Sequence, residues 1–160
     1  MQFNGMEMTE VKDKELAKEI EEILEDNRQM PERVNARLNL QLADCSREEG
    51  FTEFAFDVEE WCLNPYNGVH GGIICTLFDT GLGIGAVAIT QKMVSTTDIS
   101  VSYLRPMNGR RYIIRAEYTQ VGRRMVRSTG KAIDAETGVV CATSMASFVL
   151  TESRKKGLQV

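Results

Sequence analysis

One histidine in 160 residues is the first constraint. With only His70 available, multi-histidine metal sites are excluded, and a Ser-His-Asp triad would depend on a single ring. Cysteine is sparse too: Cys45, Cys62, Cys75 and Cys141 stand far apart, with no CxxC pair and no regular framework. The opening MQFNGMEMTEVKDKELAKEI is acidic and lacks the apolar stretch of a secretory leader, so free thiols and a cytoplasmic location are expected. Cys75 lies in an apolar run with no base at helical spacing, and is expected to pack as a small hydrophobe and not to act as a nucleophile. Hydrophobic (42%) and charged (26%) fractions are those of an ordinary soluble domain, which excludes disordered and collagen-like classes.

The net charge of −4 is unevenly spread. Residues 1–60 carry 17 acidic and 7 basic side chains, whereas residues 61–160 carry 6 acidic and 12 basic ones. Most of the excess cation lies in RPMNGRRYIIRAEYTQVGRRMVRSTGK, where a phosphate would be held if these are not simply solvated strand faces. The pI near 5.2 and the acidic first third argue against a nucleic-acid partner.

Leu16, Ile20, Ile23 and Leu24, with charges between them, predict an amphipathic helix within residues 8–30, and Thr9 could cap it. Such a helix docks through one face, as a lid or an edge cover, and by itself does not make a helix-turn-helix reader of DNA. After Pro31 the pattern turns to period two. LNLQLADCS and FTEFAFDVEEWCL read as strands, and after the loop NPYNGV and an apolar run, TTDISVSYLRP, RRYIIRAEYTQV, RRMVRSTGKAID and VVCATSMASFVL read as four more. Strands joined by short turns around one long apolar segment predict an α+β fold with a largely antiparallel sheet.

The apolar segment, residues 71–90, is long enough for a membrane span, but a carboxylate in its middle and strands on both sides favour a core helix wrapped by the sheet. Two buried strands broken at Gly81, Gly83 and Gly85 remain the alternative, since each glycine lowers helix propensity by roughly 1 kcal/mol. If the helix forms, those glycines imply close backbone approach. Its start, His70-Gly71-Gly72, presents N–H groups without intrahelical partners, where an oxyanion could be held. Its one carboxylate, Asp79, is costly to bury unless it is satisfied or used. Eight residues separate Gly71 from Asp79, about 12 Å along a helix axis, so one carbonyl cannot touch both. If they serve one reaction, the acid comes from a second copy of the chain, and a homodimer follows.

HGG followed by LFDTG, with Asn64 six residues before the histidine and the TTDISVSYLRP strand after the helix, resembles the hotdog-fold acyl-CoA thioesterases, nearest the phenylacetyl-CoA thioesterase-like branch. The resemblance covers roughly residues 35–150 and implies a hotdog fold: a long central helix wrapped by an antiparallel sheet, with the N-terminal helix as an extra. It implies side-by-side homodimers that often pair as dimers of dimers, and hydrolysis of acyl-CoA without a metal or cofactor, coenzyme A being part of the substrate. It implies Asp79 as general base or nucleophile, Gly71 as oxyanion donor with Gly72 beside it, Asn64 as an amide positioning water or substrate, and His70 as the residue orienting the loop. Thr96 falls where a Ser or Thr supports the attacking water, and Arg123, Arg124 and Arg127 lie where CoA phosphates are commonly held. The expected layout is an N-terminal extension over residues 1–34, a hotdog domain over 35–151 and a tail over 152–160. A small aromatic or short- to medium-chain acyl-CoA is the expected substrate. A hydratase or dehydratase, whose His-acid setting differs, and a non-catalytic acyl-CoA sensor are the rival readings. A membrane partner is not expected.

Overall fold

A computed structural model describes residues 10–155. The chain order is α1 (Lys14–Arg28), α2 (Val34–Leu38), β1 (Gln41–Ser46), β2 (Phe51–Asp57), α3 (Gly71–Thr90), β3 (Lys92–Tyr103), β4 (Arg111–Val121), β5 (Met125–Asp134) and β6 (Val140–Ser153). All strands pair antiparallel in one six-stranded sheet of order β1-β2-β4-β5-β6-β3, so β1 and β3 are the edges.

The apolar run forms one unbroken 20-residue helix, not two strands. Although α3 is long and apolar enough to cross a membrane, it lies against the sheet's inner face and α1, with Leu77, Phe78 and Leu82 fully buried. Strand alternation supplies the opposing wall. In β4 and β5, Tyr112, Ile114, Ala116, Val126, Ser128, Gly130 and Ala132 face inward, and the residues between them face out. Gly85 is where close approach is absolute: a methyl there would overlap the Tyr118 hydroxyl and stand 2.7 Å from Thr52 Oγ1. Gly81 is tight against Ile114 Cγ2 at 3.2 Å, whereas a methyl at Gly83 would meet Phe148 at an ordinary 3.6 Å.

The amphipathic helix is present, and Leu16, Ile20 and Leu24 belong to the same core as α3. Thr9, the expected cap, lies outside the described residues. Asp13 holds the N-cap position: its carboxylate accepts from the N–H of Leu16 at 2.9 Å and from the N–H of Arg47 at 3.0 Å. Those two amides hold the Asp13 carboxyl below its ordinary value. A depressed folded value means stability present above about pH 4 and lost as the pH falls through it. Asp13→Ala is therefore expected to lower stability by about 1 kcal/mol at pH 7. The gap to the wild type should close in acid, as followed by denaturant unfolding across pH.

Several boundaries differ from the sequence reading, β6 among them, which runs on to Ser153 past its expected end at Leu150. Residues 34–38, expected to lead into a strand, form the short helix α2, which Asn39 ends in the left-handed region at φ 47. The strand expected through EEWCL stops at Asp57, and Glu60–Cys62 turn as a short 3₁₀ helix. Gln91, at φ 57, caps α3 and reverses the chain so abruptly that β3 begins at Lys92, ahead of the expected Thr96.

Candidate active site

The start of α3 is built by the residue before it. His70 is the N-cap, and its Nδ1 accepts the N–H of Gly72 at 3.0 Å, which leaves the ring proton of the neutral form on Nε2. The His70 carbonyl accepts the N–H groups of Ile73 at 2.9 Å and Ile74 at 3.0 Å. Of the four amides at the helix start, only that of Gly71 has no partner among the described residues. The expected oxyanion donor is thus the one left open, while the Gly72 amide is already engaged by His70. A methyl on Gly72 would press to 3.2 Å from His70 Nδ1, so glycine there protects the cap.

Two further contacts hold this turn. The His70 N–H donates to the Cys62 carbonyl at 2.8 Å, and the Tyr103 hydroxyl donates to the Gly71 carbonyl at 2.7 Å. Desolvation, and secondarily the nearby Cys75 thiol, push the Tyr103 phenol above its ordinary value and so keep it a donor at neutral pH. Asn64 closes the preceding loop: its Oδ1 accepts from the N–H groups of Tyr66 (2.8 Å) and Gly68 (3.2 Å). Its Nδ2 donors have no partner among the described residues, so they are available to a ligand.

Asp79 sits two turns further along, half-buried. Its Oδ1 accepts from the Thr96 hydroxyl at 2.7 Å, and Oδ2 has no partner among the described residues. The pairing depends on a fault in β3. Register against β6 shifts between Thr96 and Asp98, where Thr96 faces Phe148 and Asp98 faces Ser147. Such a bulge re-aims side chains, and here Thr96 points onto α3 beside its carboxylate. Both line a cavity of about 240 Å³ that extends along α3 to Val87 and is bounded by Phe148 of β6 and by Ile23 of α1.

The structure brings Asp79 to Thr96 and His70 to Gly71 and Gly72, but the two groups remain two turns apart on one helix, about 12 Å by its rise. The basic segment divides in two. Arg111 pairs with Asp57 at 2.8 Å, and Arg115 pairs with Glu53 at 2.7 Å and Glu117 at 3.0 Å. Arg123, Arg124 and Arg127 are exposed, with no ion-pair partner among the described residues. Arg127 projects from the outer sheet face, while Arg123 and Arg124 form the β4–β5 hairpin, where the Arg124 carbonyl accepts the N–H of Leu150 at 2.8 Å. Among the described residues no group of three His, Cys, Asp or Glu is placed to hold a metal ion. All four cysteines are free; Cys45, Cys62 and Cys141 are buried, with the Cys45 thiol pushed up to about 12 by burial, while Cys75 is only half-buried.

Three contributors escaped the sequence reading. Tyr103 stood in a quoted strand, but nothing marked it as reaching the helix start. Asn35, whose Oδ1 accepts from the Thr80 hydroxyl at 3.4 Å, lay in a segment read as extended chain. Arg154, with its side chain 5% exposed, stood in what reads as a charged tail.

This architecture, one long helix laid along the inner face of a curved antiparallel sheet, is the hotdog fold. Residues 66–141 match the family model of the thioesterase superfamily. A thioesterase family protein of Silicibacter pomeroyi is similar, with 23% identity over 86% of this chain and 98% of that one and a TM-score of 0.73. A phenylacetic acid degradation-related protein of Ralstonia eutropha has 22% identity, covering 81% and 98%, with a TM-score of 0.68. A Streptococcus mutans protein with acetyl-CoA bound has 22% identity, covering 72% and 91%, with a TM-score of 0.64. At these identities the structural likeness establishes the fold. None of the curated proteins compared with the chain matches it significantly in sequence.

Proposed function

We propose that the chain hydrolyses the thioester of an uncharged acyl-CoA, aromatic or of short to medium length, at a site assembled between two copies. The observation that carries this reading is the pairing of an open amide at Gly71 with a carboxylate at Asp79 that keeps one oxygen free. The thioester carbonyl docks on the Gly71 N–H of one copy, and Asp79 of the other takes a proton from water. The water oxygen bonds to the carbonyl carbon; the oxyanion is held at Gly71; the C–S bond then breaks, and the proton passes to the departing thiolate. The Thr96 hydroxyl donates a hydrogen bond to Asp79 and still has lone pairs to accept one from the water and orient it.

Edge strand β3 supports the two-copy arrangement. It is twelve residues long, its outer edge has no strand beside it among the described residues, and exposed Met93 and Tyr103 lie on it. An uncovered edge of that length invites pairing with another strand, and a second β3 is the natural one. The acetyl-CoA held by the Streptococcus mutans protein supports acyl-CoA as the ligand class, and the unpaired Arg123 and Arg124 supply cations for its phosphates.

The test is free-thiol release from a panel of acyl-CoAs, run alongside the oligomeric state in solution. Turnover of at least one aryl- or medium-chain acyl-CoA by a dimer or larger assembly is expected. A protein that binds acyl-CoA and leaves every thioester intact for hours would replace this reading with that of a sensor.

A further inference from the structure

The cavity beside Asp79 has a wall that the hotdog domain does not supply. One side is α3, through Thr80, Gly83, Ile84 and Val87; the side facing it includes Ile23 of α1. We propose that α1 is the selectivity wall of the acyl pocket, and that Ile23 sets the length of acyl chain accepted; this rests on the function proposed above.

Three observations carry the inference. The first is shape. The cavity runs from Asp79 to Val87, eight residues of helix or about 12 Å, so a chain entering at the carboxylate lies lengthwise under α1. The second is size and chemistry. A cavity of about 150 Å³ holds benzene, so about 240 Å³ takes a ring with a short linker or a medium aliphatic chain. Ile23, Ile84, Val87, Val94 and Phe148 give the cavity apolar walls suited to an acyl chain.

The third is that α1 is held in place at the pocket's far end. Arg154, buried at the end of β6, lies 3.5 Å from Glu19, 3.8 Å from Glu22 and 3.5 Å from Asp26, all on α1. Asp26 and Arg154 also line the cavity. Asn35 of α2 adds a second tie through Thr80, one residue past Asp79. The charged groups lining the cavity are Asp26, Asp79 and Arg154, so carboxylates outnumber the guanidinium and an acyl group ending in a carboxylate would be repelled.

The experiment measures hydrolysis and equilibrium binding of butanoyl-, octanoyl-, dodecanoyl-, phenylacetyl- and succinyl-CoA, with binding read on Asp79→Asn protein so that it does not depend on turnover. In the wild type, octanoyl- and phenylacetyl-CoA are expected to be preferred and succinyl-CoA rejected. Ile23→Ala should shift preference toward dodecanoyl-CoA, and Ile23→Phe toward butanoyl-CoA, each by roughly tenfold in the ratio of kcat/KM values. Equal losses on every acyl group would mean that α1 only supports the fold, and would overturn the inference. An unaltered profile in both variants would overturn it as well. If no thioester is cleaved but the binding profiles of the Ile23 variants still shift, the catalytic reading fails and the selectivity wall stands. Absence of acyl-CoA binding in every protein sinks both.

Discussion

Replacing Asp79 by Asn is expected to lower thioester hydrolysis by about 10²- to 10⁴-fold while leaving the fold intact, the range that loss of a positioned general base usually gives. The separation of effects follows from the geometry. Among the described residues the Asp79 side chain makes one hydrogen bond, accepted from Thr96 at 2.7 Å, and an Asn side chain can present its carbonyl oxygen to the same hydroxyl. An amide cannot take the proton from water. Thermal unfolding should therefore be unmoved as thiol release collapses, and a kcat within a few-fold of wild type would remove Asp79 from the mechanism. Thr96→Val supplies a second reading of the same pair. Alone it should reduce kcat by about tenfold, and in the Asp79→Asn background it should reduce it no further, because groups acting on one water are not additive.

Gly85→Ala is the substitution expected to damage the fold most. The added methyl overlaps the hydroxyl of Tyr118, which donates to the Leu82 carbonyl at 3.0 Å and so accepts from the Thr52 hydroxyl at 3.1 Å. Tyr118 is so deeply placed that burial drives its phenol well above the ordinary value. Displacing it strands a buried hydroxyl, at about 1–3 kcal/mol. Overpacking adds a similar amount. A fall in Tm of roughly 10 °C follows for a chain of this size. Tyr118→Phe in the same chain should recover part of the loss by making room for the methyl. Gly83→Ala, where the methyl meets Phe148 at 3.6 Å, should be neutral or slightly stabilising through helix propensity. Equal stability of the Gly85 and Gly83 variants would show that helix propensity, and not the Tyr118 contact, sets the effect.

What could be read from the chain was what short-range pattern records. Apolar periodicity marked α1, an unbroken apolar run marked α3, alternation marked β4, β5 and β6, and the glycine pair after the lone histidine marked the helix start. Asp79 stood out because charge is rare in such a run. Features fixed by tertiary contact left no such trace. The bulge that turns Thr96 onto Asp79 is a matter of register with β6, and only the resemblance to a known family pointed to Thr96. Gly71 and Gly72 look alike in sequence; which amide stays open depends on the rotamer of His70. Gly81, Gly83 and Gly85 recur identically, yet only the residues opposite them decide that one tolerates no side chain, another is tight and the third is free. Arg154 reads as one more tail charge until the fold lays α1 beside it.

The latch between Arg154 and α1 joins the two extremes of the described chain. On a ribosome α1 emerges long before Arg154 is translated, so the helix waits, unlatched, while α3 and the sheet are made. The face proposed to take the acyl chain would then be the last part of the molecule to mature, and a nascent chain halted before Arg154 would hold its carboxylate beneath an unfastened roof.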